Sequence, residues 1–210
     1  MKLFKILLLS FILWGCESES IVAQDLRENV IVENAVFKVW YNEVKEQPVK
    51  LIYTSTNRPK NVDRGSMDFH KEPIVHTSDK HDYSDNPYDK GHMAPAAAFN
   101  CSRDMVKATF SYLNCALQHQ SLNRGPWREL EEFERNLAKI YDKVNVTVEC
   151  HFSKDSKVLP TGATVPDGFT KTIIWDDREE CFYFPNKDVK GVNWIEFRIK
   201  LVFPSKTLLP

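Results

Sequence analysis

The chain has 210 residues, 42% hydrophobic and 12% aromatic, enough for one well-packed domain and too few for two sizeable ones. Its charged residues, 27% of the total, are spread along the chain and leave a net charge of −1. That excludes a long charged tail and a chain-wide basic field, so any affinity for nucleic acid has to come from local chemistry.

Met1-Lys2-Leu3-Phe4-Lys5 is a short basic region, and residues 6–14 form an apolar run too short to span a bilayer stably. Residues 1–15 therefore read as a signal peptide. The run ends in Leu13-Trp14-Gly15-Cys16, which resembles the bacterial lipoprotein box and implies that Cys16 is lipidated. A cut after Ala23 is the other expectation and would release a chain beginning at Gln24. Either cut exports the protein, lipid-anchored in a bacterial cell envelope or secreted, with a lipid as its only hold on a membrane. Residues 17–29 are largely polar with no sustained apolar period, which suits a tether over residues 16–31, and the folded domain is expected over residues 32–210. Four further cysteines, Cys101, Cys115, Cys150 and Cys181, could form up to two disulfides in an oxidising compartment, in any of three pairings. No Cys-x-x-Cys spacing points to a zinc ribbon or a redox centre.

Residues 35–41 and 49–53 are β-branched and aromatic with partial alternation and predict an antiparallel hairpin across the polar residues 42–48. Residues 54–88, rich in Asn, Asp, Ser, Pro and His, predict a long loop, and long loops in compact domains tend to be functional. His70, His76 and His81 in that loop read as solvent-exposed, since irregular spacing without a cysteine pair is poor ground for a zinc site. Ser102 is placed to cap a helix running to about residue 118, and a second helix is expected from about Asn123 to residue 143, with Pro126 in its first turn. In that helix Trp127, Leu130, Phe133, Leu137, Ile140 and Tyr141 recur at helical spacing and predict one buried stripe. Residues 144–150, 169–175 and 181–184 predict strands, and residues 194–203 fit helix or strand equally. The expected fold class is α+β, with a mostly antiparallel sheet and flanking helices.

The sharpest strings are Asp89-Lys90-Gly91-His92-Met93-Ala94-Pro95 and Leu122-Asn123-Arg124-Gly125-Pro126-Trp127, the latter followed by Glu131. Asn123, Trp127 and Glu131 are four apart, so a helix starting near Asn123 would place an amide and a carboxylate on one face. A neutral asparagine oxygen suits Mg²⁺, which keeps several waters and takes few protein ligands. A histidine, whose ordinary pKa is near neutral, can take a proton from water with little tuning. Alone, Asn123 would read as a helix cap, His92 as a structural imidazole and Glu131 as part of a solvated acidic face with Glu132 and Glu134. Their arrangement in order is what points to metal-assisted phosphodiester hydrolysis.

The first string resembles the Asp-Arg-Gly-His signature of the DNA/RNA non-specific endonucleases, and residues 109–131 are similar to their metal-binding helix region. Arg64-Gly65-Ser66-Met67-Asp68-Phe69, followed by Pro73, Val75 and His76, resembles the mitochondrial endonuclease G branch of that family. The resemblance implies a ββα-metal nuclease fold cleaving DNA and RNA without sequence preference and leaving 5′-phosphates. It further implies Mg²⁺, for which Mn²⁺ can substitute, and a possible homodimer. By the same resemblance His92 is the general base, Asn123 the metal ligand and Glu131 the residue that positions the waters around the metal. Arg64 stabilises charge on the phosphorane, and Asp89, Lys90 and Asn114 contact substrate or support the site from behind. Lys90 stands where the family has arginine, and an ammonium cannot reproduce the planar fork of a guanidinium. The alternative expectation is an envelope-anchored protein that binds nucleic acid but has lost turnover.

Overall fold

Strand alternation organises the chain. The computed structural model describes residues 25–58 and 62–199. Cys16, both cleavage positions and most of the expected tether lie outside these residues, as do residues 200–210. The strands β1 (Val30–Glu33), β2 (Phe37–Asn42), β3 (Gln47–Thr56), β6 (Lys143–His151), β7 (Gly168–Trp175), β8 (Arg178–Pro185) and β9 (Arg198–Ile199) form one sheet in the order β1-β2-β3-β6-β7-β8-β9. Every neighbouring pair in it is antiparallel. The first strand begins inside the expected tether, and Arg27 ahead of it already holds the buried Glu43 with two side-chain bonds, at 2.8 and 2.6 Å. Val144, Val146, Val148 and Cys150 in β6 alternate with exposed or half-exposed positions, so one face of the sheet is core and the other polar.

The long helix α3 (Arg128–Tyr141) lies on the core face through Leu130, Glu134, Leu137 and Ala138. Ile140, expected in the buried stripe, is 73% exposed, because at 3.6 residues per turn it falls to one side of the line that Leu130, Glu134, Leu137 and Ala138 bury. The same face carries a separate two-stranded hairpin, β4 (Tyr88–His92) and β5 (Cys115–His119), registered Asp89 against Gln118 and His92 against Cys115. Between β3 and β4 the described residues are mainly loop, with a short 3₁₀ turn at Lys80–Tyr83.

The helix expected from Ser102 to residue 118 is corrected. α1 (Arg103–Thr109) ends after two turns, and the chain passes through a 3₁₀ turn at Tyr112–Asn114 into β5. Residues 111–118 are all buried, and uniform burial carries no period that separates strand from helix. Ser102 does sit at the N-cap position, without a side-chain capping bond. Residues 194–199 resolve into a 3₁₀ turn at Trp194–Phe197 and the short β9. Among the described residues there is no disulfide: Cys101, Cys115, Cys150 and Cys181 are free thiols. Burial pushes Cys115 up to about 12, and its Sγ lies 3.1 Å from the Tyr83 hydroxyl, while Cys150 packs against the Met93 sulfur. They behave as small core residues.

Candidate active site

The unit that assembles the site is β4, β5 and the helical run that follows. Gly91 is required by close approach: a Cβ there would come within 2.6 Å of the Gln118 Cβ across the hairpin. After β5 come α2 (Gln120–Leu122), a π-helical turn at Asn123–Trp127 and α3. Gly125 leaves helical conformation altogether (φ −109°, ψ −115°), so the expected straight ridge of Asn123, Trp127 and Glu131 does not exist. Trp127 turns into the core, and Asn123 turns toward the hairpin.

Asn123 Nδ2 donates to Asp89 Oδ2 at 3.0 Å. Asp89 in turn accepts from Arg124 Nε at 2.8 Å and Nη2 at 2.6 Å, a two-pronged bond of the kind guanidinium and carboxylate favour. Burial works against the Asp89 charge, but the bonds from Arg124 and Asn123 prevail and hold the carboxyl below its ordinary range. An ionised carboxylate only accepts, so it dictates which end of the Asn123 amide faces it and leaves Oδ1 as the outward donor atom. A neutral oxygen oriented by a carboxylate partner is a fit for a hard cation such as Mg²⁺. Among the described residues no three His, Cys, Asp or Glu side chains gather as a metal cage, the loop histidines included. His76 bonds Glu46 at 2.9 Å, and His70 lies 3.6 Å from Glu72.

His92 ends β4 between two aromatic walls, with Phe69 at 4.8 Å and Phe110 edge-on at 5.0 Å between ring centroids. Its Nε2 is buried and has no hydrogen-bond partner among the described residues. Burial first, and the positive charge of Arg64 second, lower its pKa from 6.5 to about 4, so the ring is neutral at physiological pH. The little tuning expected of it is therefore a strong downward shift. The Arg64 side chain is exposed and close enough to His92 to act on its charge.

Lys90 is half-buried and lies against the aromatic residues beside His92. Its Nζ lies 3.2 Å from Asp68 and over the rings of Phe69 and Tyr112 at 5.5 and 5.7 Å. It braces the wall of the His92 pocket. Asn114 is fully buried and spends its amide on backbone, accepting from Ala94 N at 2.7 Å and donating to Ala94 O and Thr109 O at 2.9 and 2.8 Å. It thus fixes the chain two residues beyond His92. Glu131 is partly exposed at the start of α3; burial first, then the like charge of Glu134, raise its carboxyl to about 7 against the pull of Lys171 and Arg135. The structure joins Asp89 with Asn123 and Arg64 with His92, while Lys90 and Asn114 support from behind. Sequence reasoning missed Arg124, the aromatic walls Phe69 and Phe110, and a buried pair, Glu134 and Lys171, beneath Glu131. Lys171 had left a signal: it occupies an inward position of an alternating strand, between Phe169 and Ile173.

A strand pair with a histidine at its end, followed by a helical run that presents an oriented asparagine, is the ββα-metal nuclease fold. The chain belongs to the DNA/RNA non-specific endonuclease family, whose model matches residues 21–206. It is similar to mitochondrial endonuclease G of Bos taurus, 36% identical over 86 residues that cover 40% of this chain and 29% of that protein. Nuclease C1 of Cunninghamella echinulata var. echinulata is 30% identical over 165 residues, 69% of this chain and 66% of that one. The mitochondrial nuclease of Saccharomyces cerevisiae is 27% identical over 64% of this chain and 47% of its own length. The matched part thus spans less than half of these two mitochondrial relatives. Among solved structures, the EndoG/EndoGI complex superposes with a TM-score of 0.70 at 25% identity, covering 81% of this chain and 80% of that one.

Proposed function

We propose that this protein is a Mg²⁺-dependent endonuclease that hydrolyses phosphodiester bonds of DNA and RNA without sequence preference and leaves 5′-phosphates. The observation that carries the reading is the Asp89 carboxylate gripping the Asn123 amide, since it leaves one oriented neutral oxygen next to a hairpin that ends in His92. A bound Mg²⁺ would supply positive charge at the leaving 3′-oxygen. The remaining work belongs to the chain. His92 is neutral and accepts the proton of the attacking water, and an anionic phosphate arriving beside its ring raises its basicity from the value that burial imposes. Arg64 offsets the charge that grows on the phosphorus oxygens, and Glu131 orients water. Asp89, Arg124 and Asn114 hold those groups in place so that little reorganisation accompanies the reaction. Contacts confined to phosphate and sugar carry no sequence information, which accounts for cleavage without preference. We further propose that the protein acts outside the cytoplasm, in keeping with the apolar run ahead of Cys16.

The test is cleavage of plasmid DNA and of a structured RNA with Mg²⁺ and with EDTA, beside His92→Ala purified identically. Nicking that requires both the metal and His92 is the expected result, with a rate lower by at least about a hundredfold in the variant, as for loss of a general base. A folded wild-type protein that binds nucleic acid but cuts it in no divalent metal would replace the nuclease with the binding protein.

A further inference from the structure

A charged pair lies where the fold alone calls for none. Lys171 faces inward from β7, and its side chain and that of Glu134 on α3 are fully buried between helix and sheet. Lys171 Nζ donates to Glu134 Oε1 at 2.8 Å, and the Tyr53 hydroxyl donates to the other carboxylate oxygen. Removing two charges from water costs as much as their attraction returns, so apolar side chains of similar volume would join α3 to the sheet at least as well. What apolar side chains cannot supply is a positive charge held against the face of one ring. The ammonium stands 4.1 Å from the centroid of the Trp127 indole, whose ring is set edge-to-face against Phe169 at 5.6 Å and Phe184 at 5.5 Å. Trp127 is the last residue of the π-helical turn that begins at Asn123, and Gly125, out of helical conformation, interrupts the α-helical ladder that would otherwise run from Asn123 into α3.

We infer that Lys171 is a positioning residue for the metal-binding asparagine: the Tyr53–Glu134–Lys171 chain clamps the Trp127 indole from below, and the clamped indole sets where the turn presents Asn123. The inference rests on the reading of Asn123 as the residue that holds the metal. Asp89 secures the amide from the hairpin side, and Lys171 secures the other end of the same turn from the sheet side. Two anchors on opposite elements are what a turn kinked at Gly125 needs to hold an oxygen in place.

The experiment is Mn²⁺ binding by the purified protein, followed by electron paramagnetic resonance with no substrate present. Two variants are compared with wild type: Lys171→Met, and the triple Lys171→Met, Glu134→Leu, Tyr53→Phe, which leaves no buried charge unpaired. The expected result is that the triple variant unfolds at or above the wild-type temperature yet binds Mn²⁺ about tenfold or more weakly, the range found when a partner that orients a ligand is lost. Folded variants that bind Mn²⁺ within twofold of wild type would overturn the inference and leave the reading of Asn123 intact. A wild-type protein that binds no Mn²⁺ would remove that reading and the inference together. If neither variant folds, the ammonium resonance of Lys171 in ¹⁵N-lysine-labelled wild type decides: a shift on titration with Mg²⁺ supports the clamp, and an unmoved resonance overturns it.

Discussion

Replacing Glu131 by glutamine gives a sharp physical test of the site, because the carboxyl is held far from its ordinary range by causes that can be separated. Burial and the neighbouring Glu134 raise it from 4.5 to about 7 in the metal-free protein, with Lys171 and Arg135 opposing. The folded state therefore binds this proton more tightly than the unfolded chain does. That contribution to stability is complete below the unfolded value near 4.5 and is lost as pH rises through about 7. At about 1.4 kcal/mol per tenfold change in proton affinity the ceiling is about 3 kcal/mol. Partial contact of the side chain with solvent brings the expectation nearer to about 2 kcal/mol. Glu131→Gln removes the titration and leaves the other groups to titrate in both proteins. The measurement is urea unfolding of both proteins in EDTA at about pH 4 and about pH 8, and the quantity is the difference between them. The glutamine variant is expected to gain on wild type by about 2 kcal/mol between the two conditions. Added Mg²⁺ is expected to shrink that gain, since a nearby cation favours the carboxylate. A difference that is the same at both pH values would refute the reasoning, since Glu131 would then titrate like an exposed carboxyl.

Asn114→Ala strips three hydrogen bonds from buried backbone groups of Ala94 and Thr109, and each orphaned group costs about 1 to 3 kcal/mol, so a loss of about 4 kcal/mol in unfolding free energy is expected; a loss under about 1 kcal/mol in a urea titration would show that the chain beyond His92 is held by something else. Lys90→Arg is expected to keep the plasmid cleavage rate within about threefold, because Lys90 is bound to Asp68 and lies on the rings of Phe69 and Tyr112, where a guanidinium stacks equally well. A change of tenfold or more, in either direction, would mean that this position touches the substrate.

The legible parts of the sequence were those in which one face of an element is buried and the other is not. Residues 35–41 and 49–53 showed such alternation and do form the hairpin β2–β3, with Phe37 paired to Tyr53. β6 and β7 read correctly for the same reason. β5 was illegible because it is buried on all sides: Leu113 and Leu117 stand four apart as in a helix, and only the pairing of His92 with Cys115 and Asp89 with Gln118 makes it a strand. At the candidate site, motif spacing singled out His92 and Asn123 but could not give the geometry between them. The cause is local. Gly125 and Pro126 break the helix that the four-residue spacing assumed, and the broken turn aims Asn123 at Asp89 while Trp127 goes inward. Arg124 was hidden for a similar reason, since nothing in a linear string shows that it shares a carboxylate with its neighbour from across the hairpin.

If the proposed function holds, the charges around the site also account for how a chain of net charge −1 would serve a polyanion. Of the nearby cations, Lys90 is matched by Asp68 and Arg124 by Asp89, and both pairs act as struts for the hairpin and the turn. Arg64 stays exposed beside His92. A positive surface broad enough to bind nucleic acid strongly would also slow release of the cut product. On the proposed function, attraction is concentrated where the bond breaks, in one guanidinium and one cation held by a neutral oxygen. Neutralisation of the flanking cations gives rigidity, because each pair ties an element of the site to another: Asp68 of the loop to β4, and Asp89 of β4 to the turn that carries Asn123. On the proposed function, charge that in another protein would draw substrate here fixes the positions of the groups that carry the chemistry.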